Sequence, residues 1–269
     1  MNTRAEETLY FLLWSVALLM RPTFRNMTDP SESWTCRTAT EPPVSRLLKR
    51  KWLRVNRLGP GDRLFRLTEP GRLRALGGRD PLTQWSRNWD GLWRLVVFDV
   101  PVKHNAQRAR LQRRLRARRY GCLQGSVWVA PDFLAGEKEA LRQGDIQVRS
   151  FLVLEARPGA GESDLEIVQG AWDFDELNRL YRVYLNVLDR RPDRRRLQTQ
   201  GKQVLASWAN DERKAWLAAI RFDPMLPRGL HPPGYLGPDA FRQRQEALGL
   251  AGRAWLWGQS KFGDVLRAG

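Results

Sequence analysis

Between Arg108 and Arg119, seven of twelve residues are arginine. A run like this leaves little apolar surface to fold with. Leu111 and Leu115 stand four residues apart, so a helix from about Asn105 to Tyr120 gathers them into one narrow seam. Ala109 and Ala117 are small enough for close packing, and Gly121 stands where a left-handed residue would end the helix. Arg108, Arg110, Arg113, Arg114, Arg116, Arg118 and Arg119 crowd the remaining faces. Like charges three or four residues apart repel, at roughly 0.2–0.5 kcal/mol per pair. Acidic neighbours, a second subunit or phosphates would offset that cost. The seven arginines are therefore secondary phosphate-binding candidates, with a solvated outer face as the alternative.

The flanks of this helix read as strands. Arg94-Leu-Val-Val-Phe-Asp-Val100 is an apolar β run closed by Pro101, and Leu123 to Val129 is a second, halted by Pro131. A short helix from about Glu137 to Arg142 leads to a third strand near Gln147–Leu154. Strand, helix, strand, helix, strand fits a ferredoxin-like split β-α-β sheet with one weakly marked strand.

The whole chain is arginine-rich and carries 46 Lys+Arg against 29 Asp+Glu, a net charge of +17. Such an excess is the electrostatic footprint of a polyanion partner. It is uneven: +7 over residues 1–90, +7 over 91–160 and only +3 over 161–269. Hydrophobic residues at 42% are enough for packed cores, so the chain is not a disordered basic tail. Two cysteines (Cys36, Cys122) and two histidines (His104, His231) lie too far apart for a zinc finger or a disulfide framework. A reducing cytoplasm is the natural compartment. The apolar stretch 8–20 is too short to cross a bilayer, which takes about 20 residues. It reads as a buried first helix stopped by Pro22, so a soluble protein with no membrane partner is expected. The 12 tryptophans read as core or interface anchors.

The first block, to about residue 80, holds a basic helix after Thr38 or Thr40, with prolines tolerated in its first turn. Val44, Leu47 and Leu48 form its buried stripe, and Ser45, Arg46, Lys49 and Arg50 fall on the other faces. Two β runs follow, Leu53–Val55 and Arg63–Leu67, separated by the turn signal Gly59-Pro60-Gly61-Asp62. Helix, basic helix and ribbon is the order of a winged helix-turn-helix, in which the basic helix enters the major groove of double-stranded DNA. Ser45, Arg46, Lys49, Arg50, Lys51, Arg54, Arg57, Arg63 and Arg66 are the DNA-binding candidates.

The third block is mainly helical. Helices are expected around Ala171–Tyr184, from about Gly201 to Phe222 and from about Pro238 to Leu248, with a turn-rich connector at 223–234. Its low charge suits dimerisation or ligand sensing. Catalytic signals are sparse. Asp99, at a strand end, is the one candidate for catalysis or a divalent metal, with His104 as a nearby acid or base; an aspartate capping the Pro101 turn is the alternative. Cys122 is expected as a buried structural thiol, and His231 as a turn residue.

Trp89-Asp90-Gly91-x-Trp93-Arg94-Leu-Val-Val-Phe-Asp99-Val-Pro101 resembles the signature of the PaaX family, bacterial regulators of phenylacetic acid degradation. Gly121-x-Leu-Gln-x-Ser-Val-Trp-Val129-x-Pro131 and Phe222-Asp223-Pro224-x-Leu226-Pro227 are similar to its later segments. The resemblance implies an α+β chain in three parts: an N-terminal winged helix-turn-helix domain (1–80), a central ferredoxin-like domain (89–157) and a mainly α-helical C-terminal domain (165–269). It implies transcription regulation by a homodimer bound to an operator, usually as a repressor. No cofactor is expected; the effector it implies is an aryl-coenzyme A thioester. The central part also resembles small CRISPR-associated endoribonucleases, whose first strand likewise ends in an aspartate. The alternative is therefore a metal-dependent nuclease, or a sequence-independent nucleic-acid-binding subunit of a processing or defence system. The chain departs from the family at Pro42-Pro43, where the reading helix should begin, so a shortened helix is expected.

Overall fold

The computed structural model describes residues 33–36, 42–57, 63–75, 77–132 and 150–257. The helices expected over 8–20 and 137–142 lie outside them. The chain forms two compact units that do not follow sequence order. One takes residues up to 80 with 181–221 and 238–269; the other takes 81–180 with 222–237.

In the first unit, β1 (Ser33–Cys36), β2 (Leu53–Arg57) and β3 (Arg63–Leu67) form an antiparallel sheet in the order β1-β3-β2. The strand Ser-Trp-Thr-Cys has no counterpart among the expected elements, because four residues are too few to establish a period of two. The basic helix α1 is Pro42–Lys49, with both prolines in its first turn, where their missing N–H groups have no helical acceptor. A short helix, α2 (Glu69–Ala75), follows β3. Thr68 Oγ1 donates to Lys51 O at 2.7 Å and accepts from Gly71 N at 3.2 Å, so it caps α2 and ties it to the end of α1.

The same unit contains most of the long helices. They are α6 (Phe174–Asp189, from Tyr181 onward), α7 (Arg194–Phe222) and α8 (Gly237–Trp257). α7 begins before the expected Gly201, and α8 runs beyond Leu248. Tyr181, Tyr184, Trp216, Ala219 and Phe241 are buried among them. At the centre lies a charged group. Glu212 Oε1 accepts from Arg244 Nε at 2.9 Å and from Tyr184 Oη at 2.8 Å, and Arg244 lies 4.6 Å from the Trp216 ring centroid. Burial pushes the Glu212 carboxyl above its usual range against the pull of Arg244.

The second unit is built on a four-stranded antiparallel sheet: β4 (Trp93–Asp99), β5 (Gly121–Gln124), β6 (Val127–Ala130) and β7 (Ser150–Ala156), in the order β5-β6-β4-β7. The single expected strand over 123–129 is a hairpin, turned at Gly125-Ser126. Placing β6 between β4 and β5 splits the β-α-β unit, the arrangement expected from sequence. α3 (Pro81–Ser86) precedes the sheet, α4 (Asn105–Ala117) joins β4 to β5, and α5 (Asp164–Ala171) follows β7. Strand alternation divides the core. Val96, Phe98, Trp128 and Phe151 meet Leu111 and Leu115 of α4; Trp93 and Val129 meet Val168 of α5 with Leu226 and Leu230.

Two expectations about α4 need correction. Gly121 does not end it. Arg119, at φ +68°, takes the left-handed position, with Arg119 N donating to Arg116 O and Tyr120 N to Leu115 O, a Schellman closure. Gly121 is needed for another reason: a Cβ there would stand 2.5 Å from Ala171 Cβ and 2.7 Å from the Trp172 ring. Ala109 and Ala117 are exposed and lie outside the core rather than in close packing. Cys122 is partly buried against the α4 core.

The connector after Phe222 is a buried element of this unit. Asp223 to Pro227 are all buried. Asp223 accepts from Met225 N at 2.6 Å and from Tyr235 Oη, and Met225 O accepts from Arg87 Nη1 at 2.6 Å. His231 stands edge-on to Trp85 and Tyr235 and is half-buried, so burial holds its pKa below the usual value. Asp223 pulls it up, and Arg228 and Arg87 push it down.

Arg244→Ala should remove about 3–5 kcal/mol of unfolding free energy, because it strands the buried Glu212 carboxylate. Arg242→Ala, whose partners Asp239 and Glu246 are exposed, should leave the urea midpoint unchanged. A depressed histidine pKa stabilises the fold above the unfolded value of about 6.5 and loses that contribution as pH falls through the folded value. Thermal melting between pH 7.5 and 5 should therefore fall further in the wild type than in His231→Phe.

Candidate nucleic-acid interface

α1 sorts its residues by burial. Leu47 is fully buried, and Ser45, Arg46, Lys49 and Arg50 are exposed. These four stand at i, i+1, i+4 and i+5, which puts them on one side of the helix, as the sequence pattern required. Helix α1 ends like α4. Lys51 is left-handed at φ +56°; its N donates to Leu48 O at 2.9 Å, and Trp52 N donates to Leu47 O at 3.0 Å. The chain thus turns sharply from the basic helix into β2, with Lys51 exposed at the corner. The Arg50 guanidinium lies 5.0 Å from the Trp52 ring centroid, which restrains it without burying it.

The ribbon carries the other candidates. Arg54 is exposed on β2. The register sets Arg54 opposite Arg66 and Arg57 opposite Arg63. Like charges directly across a sheet are unfavourable in a free protein. The sequence identified these residues singly; that they form two cross-strand pairs depends on the register.

The seven arginines in and just after α4 separate. Arg108 donates to Val100 O at 2.5 Å, and Arg114 and Arg119 are half-buried. Arg110, Arg113, Arg116 and Arg118 are exposed.

The family-like motifs prove to be architectural. Arg94 is buried and donates to both oxygens of Asp90, at 2.7 and 2.5 Å, and to the carbonyls of Leu92 and Pro131, at 2.8 and 3.2 Å. The guanidinium beside Asp90 lowers that carboxyl to about 2. Trp89 Nε1 donates to Leu92 O, and the Trp89 and Trp93 rings lie 5.2 Å apart. The motif around Asp90 and the motif ending in Pro131 are therefore two halves of one clamp, which sequence reasoning did not link.

Asp99 is exposed at the end of β4, in register with Ser150. Among the described residues no three His, Cys, Asp or Glu side chains gather as metal ligands, so Asp99 with its own chain's described residues does not fit a metal centre. His104 begins α4 without a side-chain cap. A cleft of about 580 Å³ is lined by Trp172, Asp173, Phe174, Asp175, Asn178 and Pro232, among others. Its charged lining residues are aspartates, the wrong sign for the phosphates of a coenzyme A ester. No helix among the described residues is long and apolar enough to cross a membrane.

Residues 86–168 match the family model described as the PaaX protein central Cas2-like domain. Among solved structures the chain is similar to an uncharacterized protein of Mycobacterium tuberculosis, Rv0674. Identity is 19%, coverage is 80% of this chain and 82% of that one, and the TM-score is 0.51, a likeness of fold. No curated protein matches the sequence.

Lys51→Gly should raise stability by about 0.5–1 kcal/mol, since glycine takes positive φ without strain. Where the Lys51 ammonium contacts a phosphate, the same variant weakens duplex binding; stability follows from chemical denaturation and affinity from fluorescence anisotropy.

Proposed function

We propose that this chain, whose central domain is of the PaaX family, is a transcriptional regulator that binds double-stranded DNA through α1 and the β2–β3 ribbon. The observation that carries the reading is one exposed helix side bearing Ser45, Arg46, Lys49 and Arg50 over a fully buried Leu47. A helix of this kind can lie in the major groove, where arginine and lysine donate to guanine O6 and N7 and to phosphates. The register that sets Arg54 opposite Arg66 and Arg57 opposite Arg63 gives the ribbon two doubly basic rungs, which suit the phosphate backbone beside the groove. Eight residues give α1 about two turns, so one chain reads few base pairs. A homodimer on a two-fold operator doubles that number, with half-sites about one helical turn or a multiple apart. Repression follows where such an operator overlaps a promoter.

The test is a gel-shift series against the DNA upstream of its own gene and against random duplex, over a range of salt. The regulator should prefer its own region at physiological salt; equal affinity for both would sink the reading. Arg46→Ala with Arg50→Ala should weaken specific binding at least tenfold and lower the salt slope by about two. Unchanged affinity would clear α1 of the role.

A further inference from the structure

The arginines of α4 form a second charged surface, in the unit that does not contain α1. The helix uses Leu111 and Leu115 to hold the sheet and presents Ala106, Ala109, Arg110, Arg113, Arg116 and Ala117 to solvent. Three of these are arginines spaced three residues apart. At 1.5 Å rise per residue they span about 9 Å of the axis. Successive phosphates of one DNA strand advance about 3.4 Å along the duplex, so three arginines match about three phosphates. Ala106, Ala109 and Ala117, which flank the row, keep its ends low enough for a bulky polymer to approach.

Two exposed arginines of the long helices are neutralised on their own helix: Arg179 meets Glu176, and Arg242 meets Asp239 and Glu246. Arg110, Arg113 and Arg116 have no such ion pair among the described residues, and the sequence holds no Asp or Glu from Val100 to Pro131. Arg116 also stacks on Trp128, its Cζ 5.2 Å from the ring centroid. Stacking steadies the planar group and leaves its N–H edge open, a preorganised phosphate donor. The surface is a row of three arginines along the helix axis. It suits a long polymer of regularly spaced charge.

We infer that Arg110, Arg113 and Arg116 contact the phosphate backbone of duplex DNA without reading its sequence. This rests on the DNA-binding reading above and adds a contact made by the other unit. Its signature is electrostatic: each neutralised phosphate contributes about 0.9 to the slope of log affinity against log salt.

The experiment uses the full chain and the triple variant Arg110→Gln, Arg113→Gln, Arg116→Gln, first matched for melting temperature. Binding to random-sequence duplex is measured by anisotropy from 50 to 300 mM salt, on the order of the range where slopes are well defined. The slope should fall by about two to three in the variant, while its ratio of affinities for the upstream and random duplexes stays within twofold. An unchanged slope overturns the proposal and leaves the regulator reading standing. If the wild type shows no preference for its upstream region but the slope still drops in the variant, the regulator reading fails and the arginine surface stands. No binding of any duplex by the wild type overturns both.

Discussion

The second unit depends on two leucines. Leu111 and Leu115 are the only fully buried residues of α4, and they hold a helix with seven arginines in and just after it against the sheet. Burying each contributes about 2–3 kcal/mol. They meet Val96, Phe98, Trp128 and Phe151, which come from three strands. Replacing either leucine with a polar residue would remove the helix's hold and uncover the centre of the sheet. The arginine load is tolerable because so small a seam packs against residues so fully buried.

A second constraint joins the loops. Arg94 gathers Asp90, Leu92 and Pro131 around one guanidinium, and Arg87 joins Asp132 to Met225 O. Asp223 then anchors the segment that follows α7. Motifs separated in the chain by more than 130 residues are thus parts of one scaffold. Their aspartates are structural, whereas Asp99, the aspartate singled out for chemistry, is exposed and lacks companion ligands on its own chain among the described residues. The exposed arginines and lysines of α1 and α4 stand on open helix surfaces.

Much of this was legible beforehand. The period of Leu47 against Arg46, Lys49 and Arg50 gave α1 and its exposed side. The apolar run ending at Asp99 gave β4. The Ser163-x-x-Glu166 pattern, which forms a capping box at the start of α5, was present in the sequence but passed over. β1 was missed because Ser-Trp-Thr-Cys has too few residues to show a period of two. The two Schellman closures were missed because a lysine and an arginine hold positions where glycine is the usual signal. The grouping of 222–237 with the sheet could not be read from local pattern, because its partners Arg87, Trp85 and Phe174 are far away in the chain.

The sequence by itself determined the charge and its uneven distribution, the helical period that separates leucine from arginine, and the residue types able to hold phosphate. These are local properties, set by side-chain chemistry and by the geometry of one helix or strand. The tertiary structure decided which arginines stay available. It tethered Arg108 to Val100 O, placed Arg119 in a left-handed closure and set Arg116 on Trp128. It also paired Arg54 with Arg66 and Arg57 with Arg63 through strand register. Each outcome needed a partner brought close by folding, and local sequence carries no record of that proximity.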